Sequence, residues 1–205
     1  MRFLSDLTAG MLAIFESKDR AREETLRLSR GLVRNCSIAI RCMHRGELTE
    51  AERLLTEAKS TLGKIQKLLR DHQDIRYAGF VNDAEQELAE ANFIYSLISG
   101  CDIPAYDEIG VDMINYLSGL GDATGELRRH ILDLIRIGKP EEGEYFLEVM
   151  EEIHSTLMLF DYPDAITRGL RRKSDLARSM LERTSGDLTN AMEMAKLAKS
   201  IQASE

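Results

Sequence analysis

Only three prolines, Pro104, Pro140 and Pro163, interrupt the 205 residues of this chain. Proline removes a backbone donor and clashes with the preceding turn. Long stretches without it, rich in Leu, Ala, Glu and Arg, are therefore free to run as helix. No segment alternates apolar and polar residues with the period of two that a half-buried strand needs. The expectation is an all-α fold: a single domain spanning residues 1–205, a helical bundle of about seven helices with a long N-terminal helix.

Glycines and prolines set the expected boundaries. The first helix runs from Leu4 to His44 and stops at Arg45-Gly46-Glu47. Thr49 is expected to cap a second that reaches Asp74, and a third covers Phe80 to Ser99. A loop follows at Cys101-Asp102-Ile103-Pro104, with a short turn from Tyr106 to Ile109. The fourth helix spans Asp112 to Ile137 and closes at Gly138-Lys139-Pro140, a C-terminal glycine followed by proline. The fifth covers Glu141 to Leu159, and Asp164 starts a sixth that reaches Thr184. Ser185-Gly186-Asp187 is read as a break before a last helix.

Composition excludes several classes. Apolar residues are 43% and charged residues 30%, which is the balance of a globular rather than a disordered chain. No apolar run approaches the ~18–20 residues of a membrane span. Met1-Arg2-Phe3-Leu4-Ser5-Asp6 lacks the apolar stretch of a signal peptide, so a soluble, cytoplasmic protein is expected. Cys36, Cys42 and Cys101 form no CxxC pattern and read as reduced core residues. Neither a zinc-ligand spacing nor a P-loop is present.

Against a net charge of −8, the first helix stands out. On an ideal helix Arg20, Arg30, Arg34, Arg41 and Arg45 all fall within roughly 60° of Arg27, over about 38 Å. The opposite face carries Leu7, Met11, Ile14, Leu28, Leu32, Cys36, Ala39, Ile40 and Met43. From Thr25 through Gly46 there is no acidic residue. An ordinary solvated face mixes signs, because like charges one turn apart repel. A stripe of arginine alone suits a phosphate backbone, so nucleic-acid binding stands beside the plain solvated-face reading.

Two carboxylate pairs carry the remaining signal. Glu87 and Glu90 are spaced i,i+3, and Asp122 and Glu126 i,i+4, so each pair shares a helix face. On the third helix Phe80, Ala84, Leu88, Ala91, Tyr95 and Ile98 define a buried arc. Glu87 falls within it, with Glu90 and Asp83 at its edge, whereas Glu85 is assigned to the polar side. A carboxylate on a buried arc requires a partner or a metal. The fourth helix is expected to bury Met113, Tyr116, Leu117, Leu120, Leu127, Ile131 and Leu134. Asp122 and Glu126 lie away from that face but among Gly119, Gly121 and Gly125, each costing ~0.8–1 kcal/mol relative to alanine. Gly121 and Gly125 are expected to let the two helices pack closely near Glu87, so that four carboxylates reach one hard divalent cation. Glu151-x-x-His154 offers one of the two Glu-x-x-His steps of a di-iron bundle, a rival metal reading.

These residues also carry a family resemblance. The stretches are Arg20-Ala21-Arg22-Glu23 through Leu28-Ser29-Arg30 and Met43-His44-Arg45, then Gln86-Glu87-Leu88-Ala89-Glu90-Ala91, then Tyr116-Leu117-Ser118-Gly119 into Asp122-Ala123-Thr124-Gly125-Glu126-Leu127. In them the chain resembles the translin family, and within it the translin-associated factor X (Trax) branch. Weaker similarity continues through Phe146-Leu147 and Arg171-Lys173. The resemblance implies an all-α domain assembled into a hollow homo-octameric barrel that binds RNA, or single-stranded DNA, inside. It implies a metal-dependent endoribonuclease, expected to cleave mainly single-stranded RNA, with Glu87, Glu90, Asp122 and Glu126 as catalytic metal ligands for one or two Mg²⁺ or Mn²⁺ ions. The arginines of the first helix would hold the phosphate backbone. The alternative within the family is a non-catalytic, translin-like RNA- and DNA-binding protein.

Overall fold

The computed structural model describes residues 4–202, without the side chains of Ser5, Asp6 and Leu7. The expectations for Met1–Phe3 and for Leu7 therefore lie outside the described residues. Within them the chain is all-α. The elements are α1 (Leu4–His44), α2 (Leu48–Leu68), α3 (Gln73–Arg76), α4 (Gly79–Ser99), α5 (Tyr106–Ile109), α6 (Met113–Arg136), α7 (Gly143–Met158), α8 (Asp164–Thr167) and α9 (Leu170–Gln202). A 3₁₀ turn at Pro140–Glu142 leads into α7.

Local chemistry explains most of the boundaries. The Asp112 side chain caps α6 by accepting from the Ile114 N–H at 3.0 Å. Gly138, with φ +78°, ends it in a Schellman arrangement. There the Gly138 N–H reaches the Ile135 carbonyl and the Lys139 N–H the Leu134 carbonyl, both at 3.0 Å. At the other end of the chain α2 begins at Leu48 after Glu47, without the side-chain cap expected of Thr49.

Three expectations fail for tertiary reasons. The second helix stops at Leu68 rather than Asp74, and α3 is a separate turn that carries Arg76 to a buried acid. The expected break at Ser185-Gly186-Asp187 does not exist, and α9 runs through it. Thr184 and Leu188 are buried there, and Arg128 of α6 binds both Thr184 (3.1 Å) and Asp187 (2.8 Å). Those contacts outweigh the ~1 kcal/mol cost of a helical glycine. The true break comes at Arg168 (φ +49°) and Gly169 (φ +88°), which cuts α8 to a single turn. A left-handed arginine costs on the order of 1–3 kcal/mol. Here its guanidinium binds the Asp112 carboxylate at 2.9 Å.

α1 and α2 pack together across the Gly46 turn, and α4 packs against α1, α2 and α6. A second group, α6, α7 and α9, closes the other side, and one continuous apolar core joins the two. α4 and α6 run in the same direction: Glu85 meets Asp112 and Asn115, and further along Gln86, Ala89 and Glu90 surround Gly119. Being central, α4 is buried on several sides, which corrects the placement of Glu85. That residue is fully buried, not on a polar face. It pairs with Arg76 and accepts from Asn115 Nδ2 (2.7 Å) and from the Asp112 N–H (2.9 Å).

The apolar face of α1 is buried only from Ala21 onward. Met11 and Ile14, expected in the core, are 57% and 59% exposed, as are Leu12 and Phe15 nearby. α2 has 21 residues against 41 in α1, so it can line only half of the longer helix. Met113 and Cys101 are likewise exposed rather than core residues.

Candidate acidic site and arginine face

α4 and α6 approach closely because of Gly119, not Gly121 or Gly125. A Cβ at 119 would lie 2.7 Å from the Gln86 carbonyl oxygen and 2.9 Å from Ala89 Cβ. Gly121 instead faces α9, where a Cβ would meet Lys173 Cβ at 3.0 Å, and Gly125 faces open space. The contact at Gly119 sets Glu87 and Glu90 of α4 against Asp122 and Glu126 of α6, all half-buried.

The four acids share one electrostatic neighbourhood. Burial first, then the charges of Asp122, Asp83 and Glu126, push the Glu87 carboxyl above the usual carboxylate range. Glu90 is pushed up to about 8, by burial first and then by Glu87, Asp122 and Glu126. Neither makes a hydrogen bond or ion pair with any described residue. The α6 pair is held differently. Lys173 Nζ of α9 lies 2.6 Å from both oxygens of Asp122. His44 Nε2, near the end of α1, lies 2.7 Å from Glu126. That hydrogen bond is the main reason the Glu126 carboxyl sits below its usual range, with Arg129 contributing from 3.7 Å.

Oxygen-only carboxylate donors, two of them without partners and raised by burial and then by neighbouring acidic charge, fit a hard divalent cation. The side chains do not stand ready around one point, however. Among the described residues no group of three or more His, Cys, Asp or Glu is placed to hold a metal ion. Asp122 and Glu126 would have to share or exchange Lys173 and His44 to join Glu87 and Glu90. Neither of those two basic residues has a local spacing that marks it in the sequence, since each arrives from a separate helix.

All six arginines of the α1 stripe are exposed. Arg27 pairs with Glu24 at 2.6 Å and Arg45 with Glu47 at 2.7 Å, the acids that bound the acid-free stretch. Arg20, Arg30, Arg34 and Arg41 have no ion-pair partner among the described residues. Arg30 and Arg34 line one groove with Leu26, Val33, Phe80 and Glu87, so the stripe adjoins the acidic site. Glu151 is exposed, and His154 faces a separate cavity of about 190 Å³ with Arg171 and Ser174. Nothing there supplies the rest of a di-iron ligand set.

Fold and site define a helical-bundle protein with a carboxylate-rich centre beside a basic helix face. Comparison with known proteins places it further. No family model matches the chain. A protein of Methanocaldococcus jannaschii, MJ0175, is 32% identical over 188 residues, covering 91% of this chain and 83% of that one. The crystal structure of AfC3PO superposes with a TM-score of 0.83 at 36% identity, over 92% of this chain and 97% of that one. The AfC3PO complex with duplex RNA gives 0.82 at the same identity and coverage. Apo-NeC3PO, at 20% identity and a TM-score of 0.83, shares the fold. The chain belongs to the translin family. No helix among the described residues is long and apolar enough to cross a membrane.

Proposed function

We propose that this chain is a Trax-like, metal-dependent endoribonuclease. The observation that carries the reading is the unpartnered Glu87–Glu90 pair, charge-coupled to Asp122 and Glu126 and adjoining Arg30 and Arg34. Glu87, Glu90, Asp122 and Glu126 are the residues that would hold Mg²⁺ or Mn²⁺. Such an ion supplies Lewis acidity toward a phosphoryl oxygen and toward water. The arginines bind and orient the strand: Arg30 and Arg34 share a groove with Glu87, while Arg20 and Arg41 extend the contact along α1. The AfC3PO complex with duplex RNA supports RNA as the ligand class.

A homo-octameric barrel accounts for two further features. The exposed Met11, Leu12, Ile14 and Phe15 form an apolar surface of the kind that partners cover. An enclosed lumen lined by the arginine stripe reconciles RNA binding with a net charge of −8. Light scattering tests the assembly, and a monomer would remove the argument for a lumen.

Lys173 and His44 favour a second reading, that of a translin-like binding protein whose α6 acids are already engaged by side chains of its own chain. Incubation with labelled RNA in Mg²⁺, Mn²⁺ or EDTA separates the two. Cleavage that EDTA and Glu90→Gln each abolish is expected. RNA bound but left intact in every metal would establish the binding protein instead.

A further inference from the structure

The acidic centre already holds one cationic group of its own chain. Lys173 Nζ grips both oxygens of Asp122 at equal distance, 2.6 Å, as a bidentate cation would. Its charge is close enough to act on Glu87 and Glu90 as well. We propose that the Lys173 ammonium occupies the place of a second divalent cation, so that the site takes one metal ion per chain and not two. The inference rests on the metal-dependent reading above and narrows it.

Several features of the fold set the placement of Lys173. Gly121 removes the side chain that would otherwise meet Lys173 Cβ at 3.0 Å, so α9 can lie against α6 at this level. The left-handed Arg168–Gly169 pair starts α9 where Lys173 falls in its first turn. Three bonds anchor that start: Arg168 to Asp112 at 2.9 Å, Arg168 to Asn82 at 3.3 Å, and the Gly169 N–H to Asp164 at 2.7 Å. Leu170, Ser174 and Ala177 bury the adjoining face of the helix. A dication on Asp122 would have to displace the ammonium or lie directly against it, and like charges at that range repel strongly. Glu87 and Glu90, free of partners, are where the single ion enters. Lysine differs from a second ion in being tethered and compact, with three donors on a flexible stem that can pass from Asp122 to a phosphate oxygen.

Binding of Mn²⁺ to the RNA-free protein, followed by the electron paramagnetic resonance of free Mn²⁺, tests this without reference to activity. Wild type and Lys173→Arg, which keeps the charge, are expected to bind one ion per chain. Lys173→Met is expected to bind two. Lys173→Gln, which keeps a donor for Asp122 without the charge, serves if circular dichroism shows Lys173→Met unfolded. Two ions in wild type, or one in the uncharged variants at unchanged affinity, overturns the role of Lys173 and leaves metal dependence standing. No ion in any of the proteins overturns the metal site itself.

Discussion

Arg76 and Glu85 form an ion pair 2.7 Å long in which the acid is wholly withdrawn from water. Arg76 reaches it from α3, the separate turn that follows α2, and Asn115 and the Asp112 backbone complete the surroundings of Glu85. Removing one partner of such a pair strands a buried charge, at a cost of about 3–5 kcal/mol. Arg76→Ala is expected to lose that much in urea unfolding. Glu85→Gln is expected to lose less, because an amide oxygen still accepts from Asn115 and Asp112. Equal losses would show that the pair's charge contributes little.

Two glycines of α6 are expected to respond in opposite directions. Gly119→Ala places a methyl 2.7 Å from a backbone oxygen, which cannot move without shifting α4. Overpacking of this kind costs about 1–3 kcal/mol. Gly125→Ala meets nothing within 4 Å and sits in a helix, so it is expected to stabilise by up to ~1 kcal/mol. Thermal unfolding of the two variants tests the assignment of Gly119 as the helix-contact residue, and a neutral Gly119→Ala would refute it.

The raised carboxyl of Glu90 predicts an inverted pH dependence of stability. Its value of about 8 in the folded chain exceeds the ordinary 4.5, so between those limits the folded state holds the extra proton. Stability from this group is therefore full below about pH 4.5 and declines as pH rises through about 8. Glu90→Gln removes the dependence. In metal-free buffer its Tm is expected to exceed that of wild type at pH 8, by about 2–4 °C for each kcal/mol recovered, and to approach it near pH 5. Parallel Tm profiles would show that Glu90 ionises without penalty.

The arginine stripe divides into free and engaged members. Arg30→Ala with Arg34→Ala removes two unpaired charges beside Glu87, so the slope of log K against log salt for RNA is expected to fall by roughly 1.4–1.8. Arg27→Ala with Arg45→Ala removes arginines already shared with Glu24 and Glu47, and a smaller change is expected. Fluorescence anisotropy at several salt concentrations measures both. Identical slopes for the two double variants would remove the distinction.

Helix, and helix alone, was legible in the sequence because it depends on local terms: proline spacing, capping residues and terminal glycines. α1, α4 and α6 end within a residue of their expected limits for that reason. The arginine stripe was legible too, since a face of one helix is set by 100° steps along one segment. The grouping of Glu87, Glu90, Asp122 and Glu126 rested on spacing and on the family resemblance. What failed depended on neighbours. Glu85 read as solvated because burial of a central helix is decided by the helices around it. Gly186 read as a stop because Thr184, Leu188 and Arg128 come together only in the fold. Tertiary structure alone decided that Gly119 is the contact point, and that Lys173 and His44 arrive from α9 and α1 to hold the α6 carboxylates. Long-range charge pairing leaves no period in a sequence, since its partners are 51 and 82 residues apart along the chain and 2.6–2.7 Å apart in space.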